Sequence, residues 1–241
     1  MNENNLNLPD YEIKDYKRNL IKTAVCELKF PVILELEHKP PATFHSSIRK
    51  KYPHFERRTS INLQLGSDIK ETVYVFLSRN QDWTLSVRPS SISLETTNYT
   101  SFTDFTKRLK IVISSANKFI DSDFFTRVGL RYIDNIPINK DSFEDWINPD
   151  IVKPLTIGIY GQPDLYWQNI RSNCHNGKFS FQHGIQNSNV NQYILDFDFY
   201  KENVEANEVN DLLINLHKES LKLFFWSINN KSYEYMNSSG V

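Results

Sequence analysis

Phe125-Thr126-Arg127-Val128-Gly129-Leu130-Arg131-Tyr132-Ile133-Asp134-Asn135-Ile136 reads as one extended strand. Successive side chains in extended backbone point to opposite sides. Arg127, Gly129 and Arg131 therefore share one face, and Val128, Leu130 and Tyr132 the other. The segment also stands at a hinge. A strand, a short helix, several short strands and one long amphipathic helix run from about Thr23 to Ile120, and the same order recurs from about Phe125 to Ile228. This order predicts an α+β protein of two pseudo-repeats, each an antiparallel sheet backed by a long helix. The expected divisions are a polar lead-in over 1–22, repeats over 23–124 and 125–230, and a tail over 231–241. Side-chain identity between the passes is low, so the internal duplication is one of order.

In the first pass, Val25 to Phe30 alternates as a strand. Pro40-Pro41 breaks the chain before a short helix with Phe44, Ile48 and Tyr52 on one face, Thr43 as its cap and Pro53 as its stop. Strands follow at Ile61–Leu65, Val73–Leu77, Trp83–Val87 and Ile92–Thr96, separated by turn-forming residues such as Gly66-Ser67-Asp68. Ser101-Phe102-Thr103-Asp104 has the form of a capping box, and Phe105, Leu109, Val112, Ala116 and Phe119 follow helical spacing. In the second pass, residues 141–147 fill the short-helix slot, closed by Pro149. Strands are expected at Leu155–Tyr160, Leu165–Arg171, Lys178–Gln182 and Gln192–Tyr200, with Asn176-Gly177 as a hairpin turn. A last helix is expected from Glu208 to Ile228, with Leu213, Leu216, Phe224 and Ile228 inward.

A strand, a helix, four strands and a helix resembles a TATA-box-binding-protein-like half, a likeness of topology that carries no function with it. Several segments together also resemble a sporadically distributed family of uncharacterised bacterial proteins. The likeness rests on Arg127-Val128-Gly129-Leu130-Arg131-Tyr132-Ile133-Asp134-Asn135-Ile136, supported by Val25 to Pro31, Tyr52-Pro53, the strands around Trp83, Tyr99 with the helix start at Phe102, Leu195 to Asp198, and Leu216-His217 leading to Phe224–Ile228. It spans nearly the whole chain after Lys22. The resemblance implies no established activity. Its patchy distribution implies accessory genes, such as mobile-element or phage-defence (antiviral) loci.

The chemistry expected from the residues is sparse. The net charge of −1 gives no global attraction to nucleic acid or an anionic membrane. Two cysteines, Cys26 and Cys174, show no paired spacing and fit a reduced, cytoplasmic compartment. No apolar run approaches the roughly 20 residues of a membrane span, and the first residues do not form a signal segment. Seven glycines form no phosphate-cradling loop, and no Gly-x-Ser-x-Gly occurs. No catalytic residue, cofactor or metal site is assigned, so the chain reads as more a binding protein than an enzyme.

Four constellations remain. Arg127 and Arg131 share a face, as do Asp196 and Asp198; brought together they make a partner- or ligand-binding site or a salt-bridged sheet face. Gly129 between the arginines leaves room for a close approach. Cys174, His175 and His183 offer three potential metal ligands, but adjacent strand residues face opposite ways. His217 falls at helical spacing and reads as a hydrogen-bonded histidine at the core or its boundary. Arg49, Lys50 and Lys51, with Arg57 and Arg58, flank the first short helix beside Tyr52, His54 and Phe55. This is a nucleic-acid-binding pattern or a solvated helix end. Finally, Asn62, Gln64, Thr84, Ser86, Ser93, Glu95, Ser180 and Gln182 are expected on an open polar sheet face, with Tyr160, Tyr166 and Trp167 as aromatic anchors. The leading reading is a partner-binding or sensing component with a protein partner, with self-association as a further form of contact. An enzyme site assembled from scattered residues such as Arg127, Asp196 and Asp198 is the remaining reading.

Overall fold

The computed structural model describes residues 6–8, 16–64, 67–138, 141–161, 163–186 and 192–238, with side chains of 60–70 outside the description. The strands are β1 (Ile21–Lys29), β2 (His54–Gln64), β3 (Ser67–Leu77), β4 (Trp83–Arg88), β5 (Ser91–Thr96), β6 (Phe124–Ile136), β7 (Tyr166–Cys174), β8 (Gly177–Ile185) and β9 (Tyr193–Glu205). The helices are α1 (Glu35–His38), α2 (Ala42–Ile48), α3 (Phe102–Ile120), α4 (Phe143–Trp146), α5 (Pro149–Thr156), α6 (Val209–Ser227) and α7 (Asn230–Asn237). The strands form one sheet in the order β2-β3-β4-β5-β1-β6-β9-β8-β7, so the fold is α+β with a large antiparallel sheet. The chain forms two compact units: Thr23–Leu130 with Lys201–Asp211, and Arg131–Tyr200 with Leu212–Val241 and Met1–Lys22.

In the first unit, β2 to β5 form a meander of hairpins and β1 pairs with β5. α3 lays Phe105, Leu109, Val112, Ala116 and Ile120 into the core. Its start is fixed by Ser101, whose hydroxyl accepts from Asp104 N at 3.1 Å. The Asp104 carboxylate takes the Thr100 hydroxyl at 3.4 Å. Asp121, in the left-handed region with φ 41°, ends the helix. Phe44, Ile48 and Tyr52 are buried as their spacing predicts, and the Phe44 ring meets Phe76 and Phe119 edge-on.

Three sequence expectations here are corrected. Thr43 does not cap α2, because the helix starts at Ala42 and Pro41 precedes it without a side-chain cap. β2 begins at His54, not Ile61. Residues 53–59 are exposed, so no apolar alternation announces the strand, and its pairing with β3 from His54↔Leu77 onward defines it. Arg57 and Arg58 therefore lie on a strand and not at a helix end. Leu65 and Gly66 of the expected turn fall outside the described residues, as do the side chains of Asn62 and Gln64; Ser67 and Asp68 belong to β3.

In the second unit, β7, β8 and β9 form a meander and α6 packs on its sheet through Leu213, Leu216 and the Phe224 ring, which meets Phe197 at 6.3 Å. The hairpin is present one residue earlier than expected: His175 and Asn176 form its loop, and Gly177 opens β8 opposite Cys174. The strand expected at Leu155–Tyr160 is not. Asn148 accepts from Asp150 N at 3.0 Å and Pro149 occupies the first helical turn, so the proline opens α5 and does not end α4. The chain beyond α5 leaves Ile157, Ile159 and Tyr160 exposed. Residues 230–237 of the expected tail form α7, capped by Asn229. No described helix is long and apolar enough to cross a membrane.

Candidate functional site

β6 distributes its two arginines between different neighbours. Arg131 Nε and Nη2 donate to the Asp196 carboxylate at 2.8 and 2.6 Å, a two-pronged contact. Arg127 instead donates from Nη1 to Glu27 Oε2 at 3.1 Å. The sheet order explains this: β6 lies between β1 and β9, and each arginine reaches the carboxylate on its own side. Asp198 stands opposite Ser180 in the β8–β9 pair. The space above Gly129 is not left for a ligand, because a Cβ there would lie 2.5 Å from Arg127 Nη1. The Arg127 guanidinium occupies that space on its way to Glu27, and a side chain at 129 would make it shift.

The Arg131–Asp196 contact is partly buried, with side-chain exposures of 45% and 8%. Removing the arginine leaves a desolvated carboxylate, which costs more than the pair contributes. Arg131→Ala is expected to destabilise the protein by about 2 kcal/mol, below a fully buried pair because the arginine meets water. Arg131→Ala with Asp196→Asn should recover much of this loss. Urea denaturation of the single and double variants checks it, and simple additivity of the two changes would exclude the coupling.

On the opposite face of β6, Asp134 is buried and its Oδ1 has no hydrogen-bond partner. Burial, with the nearby negative charge of Asp196, pushes its carboxyl up to about 8. Alternation along β6 already places Asp134 on the apolar face with Val128, Leu130 and Tyr132; what only the structure shows is that the carboxyl is fully buried there. The Tyr132 hydroxyl meets His217 Nδ1 at 3.0 Å, the hydrogen-bonded histidine expected from spacing. Its burial lowers the imidazole to about 4. His183 is likewise lowered to about 4 by burial, and its Nδ1 meets the Tyr193 hydroxyl at 2.7 Å. That contact carries it away from Cys174 and His175, so these three do not converge. Cys174 lies beside Glu219, whose Oε1 accepts from the backbone and side-chain nitrogens of Asn176 at 3.2 Å. Burial first, then Glu219, raises the Cys174 thiol; burial raises Cys26 to about 12. Both thiols are held uncharged and unreactive at neutral pH. Among the described residues no three metal-ligating side chains cluster.

The expected polar face is half-covered: Thr84, Ser86, Ser93, Glu95 and Gln182 are half-buried and Ser180 is buried. Two of its members are satisfied internally. Gln182 accepts from Trp167 Nε1 at 3.2 Å, and Ser180 donates to Asn169 at 3.3 Å. Tyr166 donates to the Ile151 carbonyl at 3.3 Å. Of the three aromatic anchors only Tyr160 is exposed. It belongs to an apolar stretch that periodicity does not reveal, with Ile159 at 75%, Tyr160 at 68% and Leu165 at 65% exposure, leading into β7 and its exposed Ile170.

The basic segment divides. Arg49, Lys50 and Lys51 are exposed around the end of α2. Arg58 pairs with Glu56 at 2.6 Å, and the Arg57 guanidinium lies 6.0 Å from the Tyr74 ring centre. The chain matches no family model and no curated protein.

Proposed function

We propose that this protein is a non-catalytic partner-binding or sensing component of a bacterial accessory system, of the phage-defence kind, and that it engages a protein partner through the segment from Ile157 to Ile170. The observation that carries this reading is the exposure of Ile159, Tyr160 and Leu165 within seven residues of one another, immediately before the last strand in the sheet order. Large exposed apolar side chains gathered in one stretch favour a protein interface, where aromatic and aliphatic anchors lose water on contact. Supporting it, Arg131, Asp196, His183 and His217 are engaged with groups of the same chain, which favours contact at residues 157–170 over a site at Arg127, Arg131, Asp196 and Asp198. The accessory-system part rests on the resemblance carried by residues 127–136. The two-repeat, TATA-box-binding-protein-like origin belongs to the same proposal; its support is that each half passes from a strand through short helices and a meander to a 19-residue helix.

Ile159→Asp with Leu165→Asp tests the reading. Both side chains face water, so the melting temperature should hold. Affinity capture from the native host, compared between the wild type and the double variant, should lose one specific co-purifying protein. Native mass spectrometry reads self-association in the same samples as a doubled mass that the variant abolishes. An unchanged set of captured proteins and an unchanged mass would sink the proposal.

A further inference from the structure

The first unit contains an open cleft of about 900 Å³ between the β3–β4 turn and α3. Four cations line it, Lys51, Arg79, Lys107 and Arg108, against two carboxylates, Asp82 and Asp104. Elsewhere basic side chains find acids: Arg58 meets Glu56, Arg88 meets Glu71, and Lys231 meets Asp141. Here the cations outnumber the acids, and only Arg108 acts on one of them, Asp82, through its charge.

The two acids in the wall are turned to other work. Asp82 accepts the Ser78 hydroxyl at 2.7 Å and Asn98 Nδ2 at 3.3 Å, and these bonds, the serine's foremost, with a lesser contribution from the Arg108 charge, hold its carboxyl below the usual range. Asp104 receives Thr100. Arg108 is held in place before any ligand arrives, with its guanidinium 4.3 Å above the buried Trp83 ring, which itself stacks on Phe105. Beside it lies the buried Tyr52 hydroxyl, whose interaction with Arg108 helps to hold the guanidinium. A guanidinium fixed by stacking loses little freedom when it binds an anion, and its fork suits phosphate oxygens.

We propose that this cleft binds the oligophosphate group of a small ligand. The volume is in the range of small-molecule sites. Phosphate best answers a net excess of cations that includes a pre-set guanidinium. A single-stranded nucleic acid would need aromatic faces on which to stack its bases. Here the rings beside Arg108, Trp83 and Tyr52, are both buried and present no free face, and Ile111 is the apolar lining.

Calorimetric titration at low salt tests the assignment, with inorganic tripolyphosphate, ATP and a single-stranded oligonucleotide as probes. Tripolyphosphate and ATP are expected to bind, and the Arg79→Glu, Lys107→Glu double variant to weaken both by about tenfold or more, the scale of lost charge-assisted hydrogen bonds. Both side chains are exposed, so the fold should survive. Tighter binding of ATP would identify a nucleotide as the source of the phosphates, and tighter binding of tripolyphosphate a free polyphosphate. The proposal is overturned if neither binds, if the double variant binds as the wild type does, or if the oligonucleotide alone binds.

Discussion

Gly184→Ala is expected to destabilise the protein by about 3 kcal/mol, lowering the melting temperature by roughly 10 °C for a chain of this size. Gly184 adopts φ +152° and faces Trp167 across the β7–β8 pair. A Cβ at this position would lie 1.9 Å from the Tyr166 carbonyl oxygen and 2.8 Å from its carbon. These are backbone atoms, so no rotamer change relieves the clash; β7 itself must move. As the last strand in the sheet order, β7 is where displacement is easiest. Its movement would also break the Tyr166–Ile151 and Trp167–Gln182 hydrogen bonds. Thermal unfolding followed by circular dichroism measures the loss, and hydrogen exchange should localise it to residues 166–174. A melting temperature within about 2 °C of wild type would show that the strands do not approach so closely.

Asp134→Asn should act in the opposite direction. An unfolded aspartate ionises near 3.9, while in the folded chain Asp134 keeps its proton up to about 8. Between these values the unfolded state has released a proton that the folded state still holds, so raising the pH favours unfolding. The loss accumulates from about pH 4 to pH 8 and is constant above. Asparagine is nearly isosteric and uncharged, and removes this slope. The gain over wild type should therefore be ~3 kcal/mol larger at pH 7.5 than at pH 5, from the linkage between the two pKa values. His183 and His217, both lowered to about 4, work the other way, losing stability as pH falls below the unfolded histidine value. They are common to both proteins, so the difference between variant and wild type isolates Asp134. Equal gains at the two pH values would rule out a buried, protonated Asp134.

The sequence was most legible where one face of an element is buried and the other wet. α3 announced its core face through Phe105, Leu109, Val112 and Ala116, and its start through Ser101. β4 and β5 alternate in burial as their residues alternate in polarity. Legibility failed where that contrast fails. The first half of β2 is exposed, so only its partner β3 makes it a strand. Leu155–Tyr160 is expected as a strand but is largely uncovered: local capping by Asn148 and Pro149 opens α5, which ends at Thr156, and residues 157–160 run on as bends and turns.

Arg127, Arg131 and Asp196 were visible as charged positions on strand faces, since alternation along a strand is set by backbone geometry. Which acid meets which base was not, because pairing depends on strand order. β1 and β9 flank β6, which assigns Glu27 to Arg127 and Asp196 to Arg131. The cleft cations lie at 51, 79, 107 and 108 and share no motif; only the approach of the β3–β4 turn to α3 collects them. The α+β class, the long helices and the faces of the strands were legible along the chain, because these follow from local periodicity and capping. The sheet order, the ion-pair partners and the cleft depend on residues far apart in the chain, whose meeting no local pattern encodes.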